Sequence, residues 1–297
     1  SSTVSRTSPV QVVKTVNKDT KTYLENIKHI AAGPTHMLAV DTDGHVWALG
    51  NNANGKLGIG GTSTAYTPTL VKTSSTEILS GVERVAAGAR NSAALAQDGV
   101  VYVWGDNTYG QLGQNTSGSS SAMLQAVKKA NGESITNAVA VAAADNYSLA
   151  LTADGIVYAW GDNTYGQLGD GPITEGLTGG TVKDDYIHRN FTYTGTGDLN
   201  YTAFPVQVKT AKDTPLVNIV SASANQNYNV AADANGDVYI WGNVNGLSYT
   251  YAQKMTGFTG KNIIAVSAGY SHFIALSKDG YVYSWGANSY GQLGNNT

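Results

Sequence analysis

The densest cluster of potentially reactive groups lies in residues 170–204, DGPITEGLTGGTVKDDYIHRNFTYTGTGDLNYTAF, where Asp184, Asp185, Tyr186, His188 and Arg189 stand close together. Two carboxylates and an imidazole can hold a cation or exchange protons. Here they sit in an unpatterned segment, with no Glu or His at a ligand spacing, so the expectation is a loop that meets a partner through Asp185, Tyr186 and His188. Elsewhere there is no P-loop, no Gly-x-Ser-x-Gly, no His-Glu-x-x-His and no dinucleotide fingerprint. The absence of cysteine excludes disulfides and thiolate metal sites. No catalytic group, metal or cofactor is expected.

The elements that must position any site are repeats. VYVWGDNTYGQLG at 101–113 returns at 157–169 and 282–294, more loosely as VWALGNNANGKLG at 46–58, and as the stub VYIWGNVNG at 238–246. Before each copy comes a small-residue run such as Val85-Ala86-Ala87-Gly88, then a short strand and an Asp-Gly or Asn-Gly turn. Those dipeptides supply the positive φ of a tight hairpin turn. Their glycines, Gly44, Gly99, Gly155, Gly236 and Gly280, are spaced by 55, 56, 81 and 44 residues. The long step is the 170–204 insertion and the short one a deletion. A fourth strand ends each unit: Pro205-Val206-Gln207-Val208 is the clearest, and Pro9-Val10-Gln11-Val12 repeats it at the front of the chain.

In the strand after each turn, Val101 and Val103 point to one face and Tyr102 and Trp104 to the other, so both faces are apolar. With no helical period visible, other sheets must cover them. Small four-stranded sheets stacked around an axis form an all-β propeller. One domain over 1–297 is expected, with five units visible. The chain opens on a fourth-strand motif and stops just after Gly-Gln-Leu-Gly, so the ring is expected to close by pairing the N- and C-terminal parts of one blade.

The order of turn glycines, histidine, Trp-Gly and Gly-Gln-Leu-Gly resembles the regulator of chromosome condensation repeat family over nearly the whole chain. His36 and His272 keep that family's histidine, whereas Asn91, Tyr147 and Tyr228 replace it. The resemblance implies a propeller, usually seven-bladed. It also implies two known activities: binding by secreted bacterial members that inhibit β-lactamases, and nucleotide exchange on a small GTPase by nuclear members.

Strand direction places the turn after each Ala-Ala-Gly and the loop after each Trp-Gly on one face, with the Asp-Gly turns opposite. That face should carry Arg90, Asp145, Asn146 and Tyr270 from the first set and Tyr109, Tyr165 and Tyr290 from the second. Tyrosines among Asn and Ser suit protein binding, because they give large contact area at small entropy cost. The repeated Asn107, Asn163 and Asn288 read as structural Asx-turns, and His36 and His272 as satisfied hydrogen-bonding groups.

Charged residues are only 13%, and the net charge of -3 gives no footprint for nucleic acid. No apolar run spans a bilayer. The expectation is a non-enzymatic, secreted or cell-surface bacterial module that binds another protein through this loop face. The alternatives are a GTPase exchange factor and a glycan-binding or polysaccharide-processing propeller.

Overall fold

A computed structural model describes residues 5–17, 20–171 and 201–296. Insertion residues Asp185, Tyr186 and His188 fall outside them. Four repeats form four-stranded antiparallel sheets, here called blades, and the fifth forms a three-stranded one. Blade 1 is Ile27–Ala32, His36–Asp41, Val46–Gly50 and Ala65–Leu70; blade 2 is Val82–Ala87, Asn91–Ala96, Val101–Gly105 and Ser121–Ala126. Blade 3 is Ala138–Ala143, Tyr147–Thr152, Val157–Asp162 and Tyr201–Gln207; blade 4 is Ile219–Asn225, Tyr228–Asp233, Val238–Val244 and Leu247–Lys254. Blade 5 has only Ile263–Ala268, His272–Ser277 and Val282–Gly286. The last strand of blade 3 takes in Tyr201 to Phe204, the final residues of the expected insertion.

Both-sided burial comes from stacking. Between blades 2 and 3, Ala93, Leu95, Val101 and Val103 meet Ala138, Ala150 and Trp160, all fully or nearly fully buried. Between blades 1 and 2, Leu38, Val40, Val46 and Leu57 meet Val82, Ala94 and Trp104. In strand Val101–Gly105, then, the valines face the following blade and the tryptophan the preceding one. The first strands of neighbouring blades also pack on one another, which puts them nearest the axis.

The tryptophans close each junction with a hydrogen bond. Trp104 Nε1 donates to the Lys56 carbonyl at 2.8 Å, Trp160 to Gln111 at 2.9 Å and Trp241 to Gln167 at 3.0 Å. Each accepting carbonyl lies in the Gly-Gln-Leu-Gly turn, or its Gly-Lys-Leu-Gly variant, of the blade before. Blade 4 lacks that turn: Val238–Val244 passes through Asn245-Gly246, with φ of 53° and 83°, straight into Leu247–Lys254. Accordingly Trp285 Nε1 is buried without a partner, and its ring instead stacks on Phe273 with centroids 5.1 Å apart.

Among the described residues, the N- and C-terminal parts are not paired in one blade. The N-terminal Val13–Asn17 pairs with Thr20–Tyr23 as a hairpin of its own, Val10 is 66% exposed, and blade 5 ends at its third strand. Ile274 and Val282 of blade 5 are exposed at positions where Ala93 and Val101 of blade 2 are buried, and Ile30 of blade 1 is exposed where Val85 is buried.

Glycines show the same break. A Cβ on Gly99 would lie 2.3 Å from the Thr136 carbonyl of blade 3, whereas one on Gly280, in the same turn slot, would meet nothing within 4 Å. Their φ values, 79° and 85°, are alike, so the strain of placing alanine at positive φ cancels between them. Gly99→Ala should therefore cost more than Gly280→Ala by about 2 kcal/mol, the overpacking contribution alone. Urea unfolding midpoints of the two variants measure the difference; equal midpoints would show that blade 3 does not press on this turn.

Candidate interaction face

The backbone ties the two loop sets together in every blade. The amides of Asn51, Asp106, Asp162, Asn243 and Ala287 donate to the carbonyls of Thr35, Arg90, Asn146, Asn227 and Ser271, at 2.8–3.1 Å. The turn after the first strand and the loop after Trp-Gly thus share one end of each blade. On the opposite end, the Asp-Gly turns offer carbonyls to the next blade, as when Gly99 accepts from Ala138 at 3.1 Å.

Within the face the predicted residues separate into two rings. Asp145 and Tyr270 lie by the axis, lining a cavity of about 410 Å³ whose walls are Ala87, Ala143, Ala144 and Ala224 at the ends of first strands. Arg90 and Asn146 adjoin them in sequence and blade position. Tyr109, Tyr165 and Tyr290 belong further out: Gly110, next to Tyr109, abuts Ala203 in the fourth strand of blade 3, and Gly166, next to Tyr165, abuts Thr250 in that of blade 4. Tyr109 is half-buried, and Tyr290 is 96% exposed. In all three the amide donates to the side-chain oxygen of the Gln two residues on, at 2.8 Å.

The repeated asparagines are structural, but by a longer bond than an Asx-turn. Asn107 Oδ1 accepts from Leu112 N at 3.1 Å, Asn163 from Leu168 at 3.0 Å and Asn288 from Leu293 at 3.0 Å, each closing the whole loop across five residues. The two-residue Asx bond belongs instead to Asp106 and Asp162, which accept from Thr108 and Thr164.

Charge on the face is uneven. Arg90 lies 3.9 Å from Asp106 and is 57% exposed. Lys56, which the sequence reading passed over, is 5% exposed and donates through Nζ to Thr35 Oγ1 at 2.8 Å and the Ala89 carbonyl at 3.1 Å. Burial, with Arg90 beside it, lowers its ammonium from the usual lysine range. The visible signal was Gly-Lys-Leu-Gly standing in place of Gly-Gln-Leu-Gly. Asp145 has the opposite shift, its carboxyl raised by burial and only partly offset by Arg90.

One residue of the axial ring is strained. Gln226 has φ of +43°, whereas every other non-glycine residue with positive φ among the described residues is asparagine. Asparagine is several-fold enriched in that region; here the two-residue turn between the paired Asn225 and Tyr228 imposes it on glutamine.

Two family models, both described as regulator of chromosome condensation (RCC1) repeat, match this chain. One covers residues 27–56, 82–111, 138–167 and 263–292, the other 43–95, 98–151 and 154–183. The chain belongs to this repeat family. It is 28% identical over 244 residues to the Ultraviolet-B receptor UVR8 of Arabidopsis thaliana, covering 73% of this chain and 53% of the receptor. It is 33% identical over 167 residues to the E3 ubiquitin-protein ligase HERC2 of Homo sapiens, a match to 55% of this chain and 3% of the ligase. Human WBSCR16 superposes with TM-score 0.67 at 22% identity, over 90% of this chain and 64% of that one. Yeast Prp20p, in a structure reported with its binding to Gsp1p and histones, superposes with TM-score 0.67 at 21% identity, over 87% and 59%. The chain thus spans about half the length of the plant receptor and under two thirds of these solved propellers. Among the described residues, no helix is long and apolar enough to cross a membrane.

Proposed function

We propose that this repeat protein is a non-enzymatic binding module that receives another protein on the face carrying Arg90, Asp145, Asn146 and Tyr270, with Tyr109, Tyr165 and Tyr290 as its outer contacts. One observation carries the reading: turn residues that differ between blades, among them Asp145, Gln226 and Tyr270, meet around one cavity on one face. Tyr270 and Arg90 are 72% and 57% exposed there, and exposed aromatic and arginine side chains on a rigid frame are the usual anchors of binding energy. The yeast protein described as binding Gsp1p and histones has the same fold. A bacterial, extracellular or cell-surface setting is part of the proposal, supported by a low charge content of 13% and the absence of cysteine; fractionation of the native cells with an antibody to the chain tests it.

The combined variant Arg90→Ala, Tyr109→Ala, Tyr270→Ala is expected to lose at least about tenfold in affinity for a partner captured from the native cell, since anchors of this type carry 1–2 kcal/mol or more each. Unchanged capture by the folded variant would remove the face assignment.

A further inference from the structure

The axial cavity holds a carboxylate that no described residue bonds to directly, Arg90 acting on it only through space. Among the described residues, the Asp145 side chain makes no hydrogen bond and no ion pair, although it lies in the cavity wall and is half-buried. Beside it, Asn146 Oδ1 is a buried acceptor without a donor. A half-buried carboxylate is expensive to leave unpaired, and burial raises its carboxyl from the usual range. Much of the remaining wall is alanine, and its other polar side chains, Asn225 and Gln226, are uncharged amides. At the mouth stands Tyr270, with its ring 72% exposed.

The surroundings say from which side a counter-charge enters. Lys56 and Arg90 flank the cavity on the side of blades 1 and 2, where Asp106 already faces Arg90. The corresponding turns of blades 4 and 5 carry Gln226, Asn227, Tyr270 and Ser271, none of them charged. A cation arriving over these turns of blades 4 and 5 meets acceptors and an aromatic face, and among the described residues of the turns no like charge.

We propose that this cavity is a socket for one basic side chain, Lys or Arg, of the protein partner. Its methylenes lie along Ala143, Ala144 and Ala224, its charged head reaches Asp145 and Asn146 Oδ1, and Tyr270 covers it at the rim. An aromatic face next to a carboxylate favours a cation over a neutral group. The size agrees, since a cavity of about 410 Å³ admits a long side chain with the backbone that bears it. The inference rests on the protein-binding reading above and adds the chemistry of the partner's central residue.

The probe is Nα-acetyl-lysine methylamide, compared with the norleucine analogue, which has the same stem and no ammonium. Both are titrated into the 297-residue chain while the backbone amides of 143–146 and 270 are followed by NMR. The lysine probe should shift these amides with saturation in the millimolar range, and Asp145→Asn should weaken it about tenfold while leaving the weaker norleucine response as it was. No described residue bonds to the Asp145 side chain, so the Asn variant should keep the wild-type melting temperature, which is measured alongside. Equal responses to the two probes, no response below about 50 mM, or full binding by folded Asp145→Asn would each overturn the socket. If the lysine probe fails while the Arg90, Tyr109, Tyr270 variant still loses its partner, only the socket falls. If the probe binds and that variant keeps its partner, it is the binding face that is wrong.

Discussion

Alanine at Trp160 is expected to destabilise the protein by about 3–5 kcal/mol, the range for removing a buried aromatic side chain. The indole is fully buried between blades 2 and 3 and packs with Leu112, Val127 and Ile135. Its removal leaves a cavity at a junction and strips the Gln111 carbonyl of its donor, 2.9 Å away. In a stacked array each unit is stabilised mainly by its neighbours, so the loss should spread as a lowered unfolding midpoint of the whole chain. The blade 5 counterpart separates packing from hydrogen bonding. Trp285→Phe loses no hydrogen bond, because that indole N–H has no partner, whereas Trp160→Phe leaves a buried carbonyl unpaired, costing about 1–3 kcal/mol more. Chemical denaturation of the two Phe variants reads the difference, and a Trp285→Phe variant as damaged as Trp160→Phe would refute this account of the junction.

Acid should weaken the fold through His36. This side chain bridges blades 1 and 2: its Nε2 donates to Ser92 Oγ at 2.8 Å, and the Ser92 hydroxyl donates on to the Lys56 carbonyl at 2.7 Å. That chain puts a proton on Nε2, and in the neutral imidazole Nδ1 is then bare. A second proton on Nδ1 would find no acceptor, and burial, helped by the Lys56 ammonium, lowers the pKa to about 4. The ordinary value near 6.5 applies to the unfolded chain, which therefore binds the proton first as pH falls. The contribution of neutral His36 is complete above pH 6.5, declines as pH drops below it, and is gone near pH 4, a loss of about 3 kcal/mol. Blade 2 names the control. Asn91 occupies the same slot and donates from Nδ2 to Ser148 Oγ at 2.9 Å, so His36→Asn should keep the bridge and flatten the stability profile between pH 6.5 and 4. Parallel profiles for wild type and variant would exclude His36 as the source.

The junction contacts show where the sequence was readable and where it was not. Turn glycines, strand alternation and the two-faced apolar pattern depend on a few neighbouring residues, so they were legible, and they were enough to assign strand directions and hence one loop face. Asn107 was legible as structural because it recurs, but not the bond it makes, since an amide five residues away competes equally well on paper with one two residues away. Lys56 was visible as a departure from the repeat, yet its contact with Ala89 required blade 2 to be set against blade 1.

What the amino-acid sequence determined by itself is the repeated unit: its period, its strands, its Asp-Gly hairpins, the order Trp-Gly to Gly-Gln-Leu-Gly, and the side of the blade on which the variable turns emerge. All of these follow from backbone preference and side-chain alternation within about ten residues. Only the tertiary structure decided what happens one repeat further on: that His36 meets Ser92, that Trp160 meets Gln111, that Asp145 lies in the wall of an axial cavity and that the tyrosines lie in an outer ring. It also decided that blade 5 and the N-terminal hairpin do not pair. Matching motifs at the two ends can pair only if curvature brings them together, and curvature is set by how every sheet packs on the next, which no single repeat encodes.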